Sequence, residues 1–517
     1  MSKRLLLGID IGTSGCKITA FDLEGQVLCS YTGPYRIFHP NAGSAEHDAN
    51  EWWERVCNGV KGLIHQGLLD PREVIAVGVD GLSWVCLPVD RNGRPLRRAM
   101  IWLDRRAEEE AQWMKECVGE EKLVSLDGNP VDPAYIVPKM LWVKKHEPDV
   151  YRNAYKFVQS NSFIVYKLTG VYSQDYSQAY GFHFFDIARG RYDDDIADQL
   201  GISLDLVPPL CHCHDVVGTV TSKASKECGL PEGIPVVAGG LDAACCTLGA
   251  GATRPGQTQE QGGQAGGMSI VVDRPLVHPR LILGYHVIPN MWLLQGGTVG
   301  GGGTLRWFNE QLGAYETQIS TERGISSFDV MSEEAESIGP GSDGLVFLPY
   351  MAGERSPIWD SKARGLLFGL SYDKTRAHII RAIMEGVGYS LLHNLETAEE
   401  VGARAEVLLS VGGSANSLVW TQIKSDITAK PIHVPFSDHA TALGAALLAG
   451  VGAGVYKDFE SAVNQTVRIR RIHEPNLKNH RVYRGYYRLY LDLYERLKVC
   501  YEQLDSLVKS STRRGDS

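Results

Sequence analysis

Carboxylates that end apolar runs are the first residues here whose placement could do chemistry. Leu5-Leu6-Leu7-Gly8-Ile9 empties into Asp10 and then into the turn Ile11-Gly12-Thr13-Ser14-Gly15, with Lys17 just beyond. Consecutive N–H groups in such a glycine turn form a nest for an anion. A carboxylate beside an anion is repelled unless a cation lies between them, so Asp10 points to Mg²⁺ carried with a nucleotide. A plain structural hairpin is the alternative, and the spacing is not that of a Walker A loop. A second run, Val236-Val237-Ala238-Gly239-Gly240-Leu241, ends in Asp242 ahead of a small-residue stretch. A carboxylate in apolar company is costly. It suits a general base that takes the proton of a hydroxyl attacking a phosphoryl group, or a simple helix cap.

Two further glycine turns share this character: Gly262-Gly263-Gln264-Ala265-Gly266-Gly267, and Val411-Gly412-Gly413-Ser414-Ala415-Asn416-Ser417. Such turns admit a ligand close to the backbone, and the helix expected after the second favours phosphate at its N-terminus.

The elements that must position these residues read as α/β. Strands and turns alternate over residues 5–28 as a hairpin with a third strand. A helix around Glu51 to Gln66 follows, then strands at Val74 to Val79 and Val85 to Val89, then helices from Arg105 and around Lys139 to Lys145. A comparable order restarts later: strand 291–295, helix 305–310, strand 345–348, helix 377–395, strand 407–411, helix 418–428. The reading is a first domain over 1–248, a second over 249–470, and a terminal helix over 471–517 packed on the body through Tyr483, Tyr486, Tyr487 and Tyr490. The seam is expected in the Gly-rich stretch 249–267, where Arg254-Pro255-Gly256 breaks any continuing element.

Composition narrows the partners. The 517 residues carry a net charge of −9 and 44% hydrophobic residues, which excludes global disorder. The chain offers no extended basic surface for nucleic acid. Eleven irregularly placed cysteines suit a reduced cytoplasmic setting rather than a disulfide scaffold. The start, Met1 to Arg4 followed by three leucines, mimics a signal peptide until Asp10 interrupts it. The uncharged stretch 440–456 is mostly Ala and Gly, which predicts a buried helix and not a membrane span.

These residues together resemble the FGGY carbohydrate kinases, relatives of actin, hexokinase and the heat-shock chaperone ATPases, with a xylulose kinase flavour. The likeness also rests on Pro138-Lys139-Met140-Leu141-Trp142-Val143 with His146-Glu147-Pro148. It extends to Phe347 through Pro357, Gly365 through Leu370, His378 with Ala382 to Gly386, and Ala442 through Ala446. It implies two actin-like (ribonuclease H-like) ATPase domains with an active-site cleft between them. It also implies transfer of the ATP γ-phosphoryl to a hydroxyl of a ketose or polyol, a pentulose such as xylulose foremost. By that resemblance, Asp242 is the catalytic base and also adjoins the substrate, and Asp10 with Asp242 serves Mg²⁺. Gly12, Thr13, Ser14, Gly263 and Gln264 bind phosphate. Gly412, Gly413 and Asn416 border the adenosine, with Ala442 to Ala445 on the adjoining wall. Ser83, Trp84, Trp102 and Asp104 meet the sugar, Asp104 accepting two hydroxyls. The implied partners are ATP and a small sugar or polyol, without nucleic acid or membrane, and the chain could pair as a homodimer.

Three departures bear on the substrate. Ser83-Trp84-Val85 stands where xylulose kinases show Met-His-Gly, Asp242-Ala243 where they show Asp-Asn, and Gly263-Gln264-Ala265 where they show Gly-Thr-Ser or Gly-Thr-Thr. The last leaves a rival reading, a sugar sensor that keeps the fold with weakened γ-phosphate handling. An ATP-driven chaperone or filament is a more distant one. Cys211-His212-Cys213-His214 lacks paired zinc spacing. Cys245-Cys246 and Trp52-Trp53 read as packing, and Arg468, Arg470 and Arg471 as a solvated charged face.

Overall fold

In the computed structural model, which describes residues 4–515, strand Leu5–Ile11 is the central strand of the first sheet. Leu5, Leu7, Ile9 and Ile11 point to one face and join a core with Trp52, Val56 and Val60 of helix Ala49–His65. Successive strand residues alternate faces, so Gly8 and Asp10 look the other way. The order across the sheet is Val216–Thr219, Pro235–Val237, Val74–Gly81, Leu5–Ile11, Gly15–Phe21, Val27–Pro34, with Gly240–Leu241 also paired to Val74–Gly81. Leu5–Ile11 runs antiparallel to Gly15–Phe21, which sets Asp10 opposite Lys17. It runs parallel to Val74–Gly81, which sets Asp10 opposite Asp80.

Helix Ala440–Gly452 lies on the face that carries Asp10. It approaches so closely that a Cβ on Gly78 would come within 1.9 Å of the Ala445 carbonyl oxygen. It also packs on helix Asp242–Gly249, where Gly444 meets the backbone of Cys245.

The chain divides into two compact units. The first comprises residues 1–255, 271–294 and 439–468, and the second 256–270, 295–438 and 469–517. The first boundary between the units falls between Pro255 and Gly256. The simple partition into 1–248 and 249–470 is corrected, because residues 439–468 return to the first unit. The physical reason is the small-residue face of helix Ala440–Gly452, which fits only against the glycine-bearing strands. Residues 442–445 are therefore buried on Gly8 and Gly78. Residues 1–3 and 516–517 of the expected spans lie outside the described residues.

In the second unit the strands lie in the order Gly266–Val272, Gln257–Gly262, Val407–Val411, Ile432–Pro435, Ile469–His473. They are joined by parallel pairing of Gln257–Gly262 with Val407–Val411. Helices Arg376–Glu399 and Leu418–Thr428 cover this unit's core. The terminal helix Leu477–Gly515 packs Tyr483, Tyr487 and Tyr490 around Tyr389, 5.6–6.2 Å between ring centroids. Arg470 and Arg471 are not merely a solvated face: Arg470 donates to Asn416 Oδ1 at 2.9 Å and Arg471 to the Ala415 carbonyl. Trp52, Trp53, Cys245 and Cys246 are core, as read. Among the described residues no helix is long and apolar enough to cross a membrane.

Candidate active site

Three carboxylates meet in the first unit. Asp10 and Asp80 lie opposite each other on parallel strands, and Asp242 opens the helix after Gly240–Leu241, which itself pairs with Asp80 and Gly81. Gly239 makes this approach feasible. Its φ is +78°, and a Cβ there would lie 1.9 Å from the Val79 carbonyl oxygen. The Leu241 amide is fixed by Ser177 Oγ at 2.8 Å, and Ser177 in turn donates to Asp175 Oδ1 at 2.6 Å.

Asp10 and Asp242 keep partial exposure, whereas Asp80 is fully buried with both oxygens unpartnered. Burial pushes the Asp242 carboxyl up to about 7, with the charge of Asp10 adding to it. Asp80 is pushed well above the carboxylate range by burial and then by the charges of Asp10 and Asp242. Asp10 is raised by burial, with its contact to Asp80 and the charge of Lys17 opposing.

The raised carboxyls leave this cluster short of positive charge. Among the described residues no group of three or more His, Cys, Asp or Glu forms a ready cage.

The turn beside the trio is tightly held. Gly12 N–H donates to the Gly15 carbonyl at 3.1 Å, the Tyr35 hydroxyl donates to the Gly12 carbonyl, and Trp102 Nε1–H donates to Thr13 Oγ1 at 3.1 Å. Ser14 is exposed on it. Trp102 thus braces the turn at Thr13.

Asp104 is corrected. It is fully buried and its oxygens are taken: Oδ2 by Ala45 N–H at 2.8 Å and Arg106 Nη2 at 2.7 Å, Oδ1 by Arg106 N–H at 3.1 Å and Nε at 3.0 Å. No lone pair remains for a sugar hydroxyl.

Trp84 sits in an aromatic stack against Tyr135, centroids 4.2 Å apart, with Tyr180 edge-on at 6.3 Å. Ser83 beside it is part-exposed. The fully buried Lys139 ammonium ties this loop to the neighbouring chain, donating to the carbonyls of Trp84 at 2.9 Å and Ile101 at 2.7 Å.

In the second unit the two remaining glycine turns meet on one cavity of about 390 Å³, whose lining includes Gly262, Gly263, Gln264, Gly413, Asn416 and Trp420. Gly412 touches Gly262 directly. A buried ion pair holds the arrangement: Lys424 donates to both oxygens of Glu260 at 2.8 Å and to Ser414 Oγ at 3.1 Å. Gln264 is exposed and its side chain lies against Gly303 at the start of helix Gly302–Leu312.

Two features escaped sequence reasoning. Asp80 carries the same signal as Asp10, a carboxylate ending an apolar strand. Its partner is evident only from the parallel register. The glycines 300–303 that open helix Gly302–Leu312 carried a visible run that went unused.

The model of the FGGY family of carbohydrate kinases, N-terminal domain, matches residues 5–249, and its C-terminal domain matches 273–453. A xylulose kinase of Staphylococcus epidermidis is 33% identical over 500 residues, covering 96% of this chain and 98% of that protein. A gluconokinase of Bacillus licheniformis is 27% identical, covering 98% of each. The crystal structure of a xylulose kinase from Rhodospirillum rubrum matches with a TM-score of 0.86 and 28% identity, over 96% of this chain and all of that one. These relatives share the two-domain actin-like fold and differ in the substrates they are named for. With both domain models matched in order over most of its length, the chain belongs to the FGGY family of carbohydrate kinases and is a sugar phosphotransferase.

Proposed function

We propose that this kinase transfers the γ-phosphoryl of ATP to a hydroxyl of a short ketose or polyol, a pentulose of the xylulose type foremost, with Asp242 as general base. The observation that carries this reading is the Asp242 carboxyl, raised to about 7 at the end of a braced strand. A base near the working pH accepts a proton without being held permanently ionised. The hydroxyl proton passes to an Asp242 oxygen as the new O–P bond forms and the bond to the ADP oxygen breaks. Thr13, Ser14 and the amides of their turn take phosphate oxygens in the first unit, and Gly263 and Gln264 offer phosphate contacts in the second. Gly412, Gly413 and Asn416 border the adenosine in the 390 Å³ cavity, a size ordinary for a cofactor site.

Asp10 and Asp242, with Asp80 behind them, would hold Mg²⁺. Bound there, Mg²⁺ supplies positive charge to offset that of the phosphates.

The test is ADP release with Mg²⁺·ATP across ketopentoses, ketohexoses, tetritols, pentitols and glycerol, run beside Asp242→Asn. An acceptor-dependent signal lost in the variant supports the assignment. Heat stabilisation by acceptors without any turnover would instead favour the sensor reading.

A further inference from the structure

The segment that leads into Asp242 is tied down through its amides. Ala238 N–H donates to the Asp215 carbonyl and Gly239 N–H to the Cys213 carbonyl, both at 3.0 Å. The last tie before Asp242 is of another kind, because Leu241 N–H donates at 2.8 Å to a side chain, Ser177 Oγ. Gly240 lets that hydroxyl come close, since a Cβ there would lie 3.0 Å from Ser177 Oγ. A hydroxyl has one proton to give. Ser177 gives it to Asp175 Oδ1 at 2.6 Å, which leaves a lone pair for Leu241.

Asp175 is buried and makes no ion pair among the described residues. Its Oδ1 also accepts Gln178 N–H at 3.0 Å, and its Oδ2 accepts Asn161 Nδ2 at 2.9 Å. Gln178 Nε2 donates to Asn161 Oδ1 at 2.7 Å, which turns the Asn161 N–H toward Asp175. The buried Cys213 thiol lies against the same pair, with Sγ 4.0 Å from Asp175 Oδ1. Burial lifts the Asp175 carboxyl only to about 6, because Ser177, Asn161 and Gln178 oppose it, so it is largely ionised at neutral pH. A buried carboxylate is costly, and capping the four-residue helix Tyr176–Ala179 accounts only for the Gln178 bond. The contacts run in one direction: Asn161 and Gln178 hold Asp175, Asp175 orients the Ser177 hydroxyl, and Ser177 fixes the peptide next to Asp242.

We propose that Asp175 and Ser177 are positioning residues for the phosphoryl transfer, aiming the Asp242 carboxylate at the acceptor hydroxyl through the Leu241 amide. They act through that amide and not on the reactants. This rests on the kinase reading above and deepens it.

The experiment measures ADP release by the full chain with Mg²⁺·ATP and an acceptor that the wild type turns over. Ser177→Ala leaves Leu241 N–H without its acceptor and should lower kcat by about ten- to a hundredfold, the scale of a misplacement near 1 Å, while KM for acceptor and for ATP moves less than about threefold. Asp175→Asn keeps a cap for Gln178 but turns an N–H on the Asn161 amide, which already donates there, and should lower kcat by about tenfold. The two together should lose no more than the larger single loss, because both act through one hydroxyl. The decisive comparison combines Ser177→Ala with Asp242→Asn. An aiming device is worth nothing without the group it aims, so the combined variant should turn over within about twofold of Asp242→Asn alone. Should Ser177→Ala fail to fold, Asp175→Asn combined with Asp242→Asn gives the same comparison.

Kcat near that of the wild type in both Ser177→Ala and Asp175→Asn, with Asp242→Asn impaired, overturns this inference alone. So does an equal proportional loss with and without Asp242, which is the mark of a merely structural role. Absence of Asp242-dependent turnover with every acceptor overturns the kinase reading and this inference with it.

Discussion

Replacing Asp242 by Asn should make the free protein more stable at neutral pH while disabling it. The carboxyl stands at about 7 in the folded chain against an ordinary value of 3.8. Between those values the folded state holds a proton that the unfolded state has released. Stability therefore falls as pH climbs from 4 to 7 and stays reduced above 7. Three pH units at about 1.4 kcal/mol each set a ceiling near 4 kcal/mol. Because Asp242 keeps partial exposure, solvent screening brings the expected gain to about 2 kcal/mol. Asn retains the oxygen that accepts Ala243 N–H at 2.7 Å, so the local geometry has no reason to change. Urea unfolding without Mg²⁺ or nucleotide, at pH 8 and at pH 4, isolates the effect. The variant should gain at pH 8, match the wild type at pH 4, and keep the same denaturant slope for the first unit. Its kcat should fall by about 10² to 10⁴, the usual share of general-base assistance. A variant no more stable at pH 8, or one that turns over normally, refutes the placement of a raised, proton-accepting carboxyl at this position.

Asp104→Asn should cost about 1–3 kcal/mol by weakening one of the two buried carboxylate partners of the Arg106 guanidinium, with Glu46 still paired, and acceptor KM should be nearly unchanged in the folded fraction. A large selective rise in acceptor KM would return Asp104 to the sugar. Burial lowers Lys139 to about 8 from an ordinary 10.5, so the unfolded state binds more protons between those values and stability rises with pH across that window. Lys139→Met should therefore lose ground relative to wild type by about 3 kcal/mol from pH 7.5 to 10.5, measured by urea midpoints; a constant difference would contradict it. Ser332→Trp should fill the cavity beside Gly413 and Asn416 and raise KM for ATP at least about tenfold with little effect on heat stabilisation by acceptors. Unaltered ATP affinity would remove the nucleotide from that cavity.

The parts legible in the sequence were those whose signal is local. An apolar run broken by glycine and a carboxylate locates Asp10 and Asp242 because the cost of an acid beside a core is visible in one dimension. The same holds for the turns around Gly263 and Gly412, which do meet on one cavity. Asp104 misled for a physical reason: an acid two residues after a tryptophan looks like a sugar contact, but the Arg106 fork and a distant amide at Ala45 saturate it. Asp80 needed the parallel register of strands almost seventy residues apart. The return of residues 439–468 to the first unit needed the glycine-bearing face of those same strands, which alone accommodates a helix of alanines and glycines at backbone contact.

The acidic trio explains why so much of the first unit is devoted to bracing. Asp10, Asp80 and Asp242 repel one another and are desolvated, with Lys17 as the cation nearest the pair. Left to relax, such groups would move apart or admit water. Here they cannot, because Gly78 and Gly239 lock the strands against backbone, Ser177 fixes Leu241, and Tyr35 and Trp102 fix the turn at Gly12 and Thr13. Burial and the neighbouring carboxylates therefore raise these carboxyls. Any ligand that brings positive charge to the trio recovers that free energy on binding, and a ligand that binds only the folded state raises stability by mass action. On the function proposed above, a preorganised, acid-rich free state favours the complex with nucleotide and cation, and the folding of the first unit then bears the cost of that preorganisation.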